Sequence, residues 1–359
     1  MRMTKYCFGL LLLIAYSGAA QTPTLPITPR PPYTPLAPLA PLAPAVPEAS
    51  NALDAAMEDP GTPPRFVELP MLDCEGLPCI DVTTESGKTL RLLIDLGESN
   101  SYLDSKVAQS LGVELHRLTG GGDDSTASEV QETVVPGARF GDLAMGDFPF
   151  LVLDTTPQPD KPGHKAQQLP GDGALAFSAF RNRLLQLDYA WRVVRISEPL
   201  DSAQPCPYDC NDLVIKRFGQ FGPATLTARG FAVNGQPVDV QIDNLFTGTM
   251  LVYPASVEKL GLKKEAKAKH KESFPFTQDG LKLARAEAAT ESYGSIQLLE
   301  NAPIYFLTPD EPAPPVPFDA KVGSRLLSQG IVTFDFKGMR MWMEPARMNA
   351  AGAPAPPSR

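Results

Sequence analysis

Asp95 and Asp243 each close an apolar run, and the same pattern follows each of them. The first stretch reads Leu92-Leu93-Ile94-Asp95-Leu96-Gly97-Glu98-Ser99-Asn100-Ser101-Tyr102-Leu103, then Val107 and Leu111-Gly112-Val113. The second reads Val240-Gln241-Ile242-Asp243-Asn244-Leu245-Phe246-Thr247-Gly248-Thr249-Met250-Leu251, then Val257 and Leu260-Gly261-Leu262. In both, Ile-Asp ends the run, a small-residue turn follows, and a Leu arrives eight positions after the Asp. A repeated strand that ends in a carboxylate can bring two carboxylates face to face. Two such groups a few ångströms apart cannot both ionise cheaply, so one keeps a proton while its partner can take one from a water held between them.

The elements that must deliver these side chains read as mostly β. Cys79 to Thr84, Thr89 to Asp95, Phe148 to Asp154 and Trp191 to Ser197 are rich in Val, Ile, Leu and aromatics, with turn residues between them. Glu85-Ser86-Gly87-Lys88 reads as the turn of a hairpin that delivers Asp95. Asn234-Gly235, between Phe231-Ala232-Val233 and Val238 to Ile242, is a stronger hairpin signal and delivers Asp243. Short helices are expected at Asp104 to Leu111 and Pro254 to Leu260. Each half also closes alike: Asp172 to Phe177 leads to Leu184 and a strand pair, and Lys321 to Leu327 leads to Val332 and another. Trp191 and Trp342 fall in these closing pairs, where packing between strands is the expected role.

This repeat set resembles the pepsin/retropepsin superfamily of aspartic proteases, in particular two-lobed bacterial members with retropepsin-like halves. The resemblance runs from about residue 77 to 345. It implies an all-β fold of two pseudo-symmetric β-barrel lobes with a central cleft, and a catalytic pair at Asp95 and Asp243. It further implies that the pair activates water against a peptide bond, that a peptide or protein occupies the cleft, and that no metal or cofactor takes part. In the family a Thr or Ser follows each Asp, and its hydroxyl bonds across to the opposite loop to hold the two carboxylates in one plane. Here Leu96 and Asn244 stand at that position. Losing one such bond to Leu96 costs about 0.5–1.5 kcal/mol, and the Asn244 amide, both donor and acceptor, can replace part of it. At the next position Gly97 is kept but Leu245 replaces the second Gly. A Leu there is expected to crowd the pair or push its loop aside, and a shift of about 1 Å costs on the order of a hundredfold in rate. Glu98 reads as a surface group; turned inward, it would raise the pKa of the pair. Gly120, Gly121 and Gly122 lie where the family often has a mobile flap.

The rest of the 359-residue chain bounds this picture. A formal charge of −9 leaves no basic stripe for nucleic acid. The densest basic stretch, Lys263 to Lys271, reads as one solvated helical face. Residues 1–20 read as a secretory signal, with Arg2 and Lys5, an apolar core from Phe8 to Ala15, and Gly18-Ala19-Ala20 for cleavage. That core is too short to span a bilayer of roughly 30 Å, and no other segment reads as transmembrane. Residues 21–64 are a Pro/Ala-rich linker, 65–202 and 203–346 the two lobes, and 347–359 a tail of similar character to the linker. Export places Cys74, Cys79, Cys206 and Cys210 in an oxidising compartment, secreted or periplasmic, where four cysteines allow three connectivities. Two local loops, Cys74–Cys79 and Cys206–Cys210, are the expectation. Cross-pairing is the alternative, and a zinc site the rival whose usual spacing is missing. His116, His164 and His270 lack metal-like spacing. No nucleophile elbow, phosphate loop or dinucleotide fingerprint occurs. Three readings of function stay open: an exported aspartic endopeptidase, an inactive relative that binds peptides or a protein partner in the cell envelope, and a purely structural envelope protein on a Pro-rich stalk.

Overall fold

Alternation sets up the first hairpin. Leu77–Thr83 and Thr89–Asp95 pair antiparallel, with Cys79 opposite Leu93 and Val82 opposite Leu90. Thr89 and Arg91 are exposed on either side of buried Leu90, whereas every residue from Leu92 to Asp95 is buried. The strand therefore passes from a surface with one wet face into a fully covered interior, and its sequence changes from alternating to continuously apolar. Gly87 makes the turn at a φ of 78°. In the second hairpin Ala224–Val233 pairs with Gln236–Ile242, and Asn234 and Gly235 take φ values of 50° and 75°. Two consecutive positive values make the tight turn whose twist matches its strands.

The computed structural model describes residues 64–118, 131–155, 170–205, 210–218, 223–267, 270–274, 282–287, 290–307 and 316–345. These all fall in one compact unit. The signal, nearly all of the linker, the tail, Gly120 to Gly122, His164 and Cys206 lie outside them. The described chain is mostly strand, and none of its helices is long and apolar enough to cross a membrane.

Beyond each hairpin the same strand order recurs. Around Asp95 it is Gln131–Thr133, Phe150–Leu153, Ser101–Asp104, Gly173–Ala176, Thr89–Asp95, Leu77–Thr83. Around Asp243 it is Lys282–Glu287, Pro303–Phe306, Met250–Val252, Ala320–Val322, Gln236–Ile242, Ala224–Val233. The senses agree as well. Gly173–Ala176 and Ala320–Val322 each run parallel to the aspartate strand and antiparallel to the strand after the turn.

The register corrects the even spacing seen in the sequence. Leu175 lies opposite Ile94 and Val322 opposite Ile242, so Ala174 and Lys321 hold the same place. Ala174 pairs with Tyr102, and Lys321 with Leu251. Leu103 therefore corresponds to Val252, not Leu251, because the second turn is one residue longer. Glu98 O accepts from Phe177 N as Phe246 O accepts from Ser324 N. The turns thus stay in step to their third residue, and the extra one falls within Thr247 to Thr249.

A six-strand run extends the sheet of the second hairpin, through Asn211–Arg217 pairing with Ala224–Val233, while the first hairpin lies in a separate sheet. The order of the run is Phe66–Pro70, Val193–Ser197, Leu184–Asp188, Gly330–Asp335, Arg340–Pro345, Asn211–Arg217. Leu185 sits opposite Phe334 and Leu187 opposite Val332; these belong to the main apolar core, together with Val194, Ile196, Met341 and Met343. Each such side chain, fully buried, contributes about 1.5–3 kcal/mol of hydrophobic transfer.

Helices are few and short. Ser105–Leu111 follows the first turn, capped by the Asp104 side chain accepting from Lys106 N and closed by Gly112 at a φ of 65°. The second, Pro254–Val257, is shorter than expected; beyond it only isolated bonds such as Leu260 N to Ser256 O lead to Gly261, at a φ of 69°. The described residues of Lys263 to Lys271 do not form a helical face. Glu265–Lys267 is a single 3-10 turn, and Lys271–Ser273 is a strand held by Lys282–Glu287, so pairing overrides helix propensity there. Trp342 is buried against Leu184 and Leu200, as expected. Trp191 is not held between strands as expected: the strand starts at Val193, leaving the residue 48% exposed in the preceding turn. Cys74 and Cys79 form a disulfide, and Cys210 is disulfide-bonded as well.

Candidate active site

The ends of Thr89–Asp95 and Gln236–Ile242 meet. Asp95 and Asp243 are both nearly buried, and each carboxylate first caps its own turn. Asp95 Oδ1 accepts from Gly97 N at 3.1 Å. Asp243 Oδ1 accepts from Leu245 N and Phe246 N, both at 3.2 Å. The second turn keeps the bond made by the first, although Leu stands where Gly did. Gly97 itself lies against the opposite carboxylate, since a Cβ built there would sit 3.0 Å from Asp243 Cγ.

Buried hydrogen bonds tie the turns together. Asn244 Oδ1 accepts from Leu96 N at 2.8 Å, and Asn244 Nδ2 donates to Ile94 O at 2.7 Å. One amide thus brackets Asp95 on both sides, as only a side chain that donates and accepts can do. The Gly97 carbonyl accepts from Thr225 Oγ1 at 3.0 Å and Gln241 Nε2 at 3.2 Å, and Gln241 Nε2 also donates to Thr225 Oγ1 at 2.7 Å. In these ties the second half supplies the side chains and the first supplies backbone, so Leu96 leaves no polar group stranded.

Leu245 does not crowd the pair. It is half-buried and packs onto an apolar cluster of the first half that contains Cys74, Leu77, Cys79, Leu93, Tyr102 and Ala174. Leu93, Ala174 and Tyr102 are cross-strand neighbours on one face. In the second half the matching face carries Gln241, Lys321 and Leu251. One face is wholly apolar and receives Leu245; the other carries Gln241 and Lys321, which reach the aspartate turns.

Lys321 extends from that second face to Asp243, with Nζ 2.5 Å from Oδ2, and both side chains are largely buried. Burial raises the Asp95 pKa well above the usual carboxylate range, and the charges of Glu98 and Asp243 add to the shift. The Gly97 N–H and Lys321 oppose it. Glu98 is half-buried rather than at the surface. Burial, then the charge of Asp243, pushes it up to about 7 against the pull of Lys321. Tyr102 brings a buried hydroxyl with no hydrogen-bond partner among the described residues. Its pKa is raised by burial first, then by Asp95 and Asp104.

Asp95, Asp243, Leu96, Gly97, Asn244, Leu245 and Glu98 therefore come together as a site. Cys74 and Cys79 lie beneath Leu245. His116 and His270 are exposed, and among the described residues no group of three or more His, Cys, Asp and Glu side chains could hold a metal. Sequence reasoning missed Lys321, Gln241 and Thr225. The available signal was the contrast between halves: Gln241 where the first half has Leu93, and Lys321 where it has Ala174.

The family model for aspartyl proteases matches residues 80–175. The matched stretch contains most of the first hairpin, from Ile80 on, Asp95 with its turn, the Ser105–Leu111 helix and most of Gly173–Ala176; Asp243 lies beyond it. No curated protein matches the chain. Over that stretch the chain is similar to aspartyl proteases, and its fold is mostly β, in keeping with them.

Proposed function

We propose that the chain is an exported aspartic endopeptidase with two lobes, residues 65–202 and 203–346, and a peptide-binding cleft at the meeting point of Asp95 and Asp243. The observation that carries the reading is the Asn244 bridge, which binds Leu96 N and Ile94 O and so joins the two aspartate turns in one unit. Asp95 holds a proton and Asp243 is ionised. A water between them gives a proton to Asp243 as its oxygen bonds to the peptide carbon, while Asp95 gives its proton to the carbonyl oxygen. The resulting diol returns a hydroxyl proton to Asp95, and Asp243 passes its proton to the amine nitrogen as the C–N bond breaks. Arg2 and Lys5 ahead of the apolar Phe8 to Ala15 support export, and the Cys74–Cys79 disulfide fits an oxidising compartment.

The test is cleavage of a mixed peptide library between about pH 3 and 7 by the purified chain and by Asp95→Asn and Asp243→Asn. Cleavage that both substitutions abolish supports the reading. A second reading, a relative that binds peptides or a protein partner in the cell envelope without cutting, is favoured by one observation: Asp243 already carries the Lys321 ammonium. No cleavage at any pH by a folded chain that still binds peptide selects it.

A further inference from the structure

We infer that Lys321 is a positioning residue of the pair: its ammonium holds Asp243 as the carboxylate and leaves Asp95 as the member that carries the proton. The inference rests on the peptidase reading above. In a pair built from two like halves, nothing decides which carboxyl keeps the proton. Here the surroundings differ. Asp243 Oδ1 takes two backbone N–H groups and Oδ2 takes Lys321 Nζ at 2.5 Å. Asp95 Oδ1 takes one N–H, and the place matching Lys321 is the methyl of Ala174.

The lysine is held in place by its strand. It lies between Gln241 and Leu251 in the ladder, and Gln241 beside it is anchored on the Gly97 carbonyl and Thr225. The charged and titratable groups that face one another are Asp95 and Glu98 from the first turn, Tyr102 from the strand after it, Asp243 from the second turn, and Lys321. Three carboxyls thus share one cation. The ammonium also lowers the pKa of Asp95 and Glu98 against the effect of burial. Without it the ionisation of Asp95 and of Glu98 becomes harder.

The experiment compares the purified full chain with Lys321→Met, which keeps the apolar stem, and Lys321→Arg, which keeps the charge. Two readouts are taken: the pH–rate profile on a peptide substrate, and the titration of the Glu98 carboxyl by 13C NMR, assigned with Glu98→Gln. The expected result is that Lys321→Met moves the profile and the Glu98 titration up by about one pH unit or more, while Lys321→Arg leaves both near wild type. A Lys321→Met titration that superimposes on wild type, or an equal shift in both variants, overturns the inference. If the wild-type chain cleaves nothing at any pH, the peptidase reading fails by itself, and the Glu98 titration alone decides the role of Lys321.

Discussion

Gly97 lies so close to Asp243 that a Cβ on it would sit 3.0 Å from the carboxylate carbon and 3.3 Å from Oδ1. The carboxylate has little freedom to give way, since two amides and Lys321 already hold it. Gly97 has no left-handed backbone angle, so Gly97→Ala acts through the added methyl alone. The expected outcome is a loss of about 10- to 100-fold in kcat/KM with roughly 1 kcal/mol of stability lost. Peptide cleavage measured beside urea unfolding checks this; full activity in the variant would mean that the pair tolerates displacement.

Asn244 carries the join between the turns, and its removal leaves Leu96 N–H and Ile94 C=O buried without partners. Each stranded group costs about 1–3 kcal/mol, so Asn244→Ala is expected to lose roughly 2–6 kcal/mol. Asn244→Thr, whose hydroxyl also donates and accepts, is expected to recover part of that loss. The urea midpoint at constant m-value is the measurement. Equal midpoints for wild type and Asn244→Ala would remove the bridge from the account of stability.

Glu291 lies in Thr290–Tyr293 opposite Val233 and Leu299, fully buried, with neither carboxyl oxygen hydrogen-bonded among the described residues. Burial pushes its pKa up to about 8, and Arg325 opposes the shift. The folded state therefore keeps a proton that the unfolded chain releases near its ordinary value of 4.5. Stability from this group is fully present below that value, declines as pH rises, and is gone above the folded pKa. Over the window the decline is on the order of a few kcal/mol. Glu291→Gln is expected to flatten the unfolding free energy between pH 5 and 8. Parallel curves for the two proteins would show that another group sets the slope.

Much of this was legible in the sequence, for local reasons. Asn234-Gly235 marks a two-residue turn because both residues tolerate positive φ. The two Ile-Asp runs mark the pair because each is a buried strand with a carboxylate at its end. The Asn244 bridge followed from an amide's ability to donate and accept. The illegible parts depended on contacts made elsewhere in the chain. The recurring Leu eight residues after each Asp concealed the longer second turn, because an apolar residue follows at either register. Whether Leu245 would crowd the pair depended on the apolar face of Leu93, Ala174 and Tyr102 in the other half. Lys321 points at Asp243 only because pairing with Gln241 and Leu251 sets its face, and pleat direction is unknown until register is known.

Glu98 supplies the last prediction, opposite in sign to that for Lys321. Its charge helps Asp95 keep a proton, second only to burial, and its own carboxyl titrates at about 7. Above that pH the charge is present and the proton on Asp95 is held more tightly; below it the effect fades. Glu98→Gln removes the charge at every pH, so Asp95 gives up its proton earlier and the alkaline limb of the rate profile moves to lower pH. Lys321→Met moves it to higher pH, since the ammonium works against burial at the same two carboxyls. The pair of variants compared in one buffer series separates a charge effect from general damage, which would lower rates without moving the limbs apart. If both limbs move in the same direction, the site is not governed by the balance of three carboxyls against one ammonium.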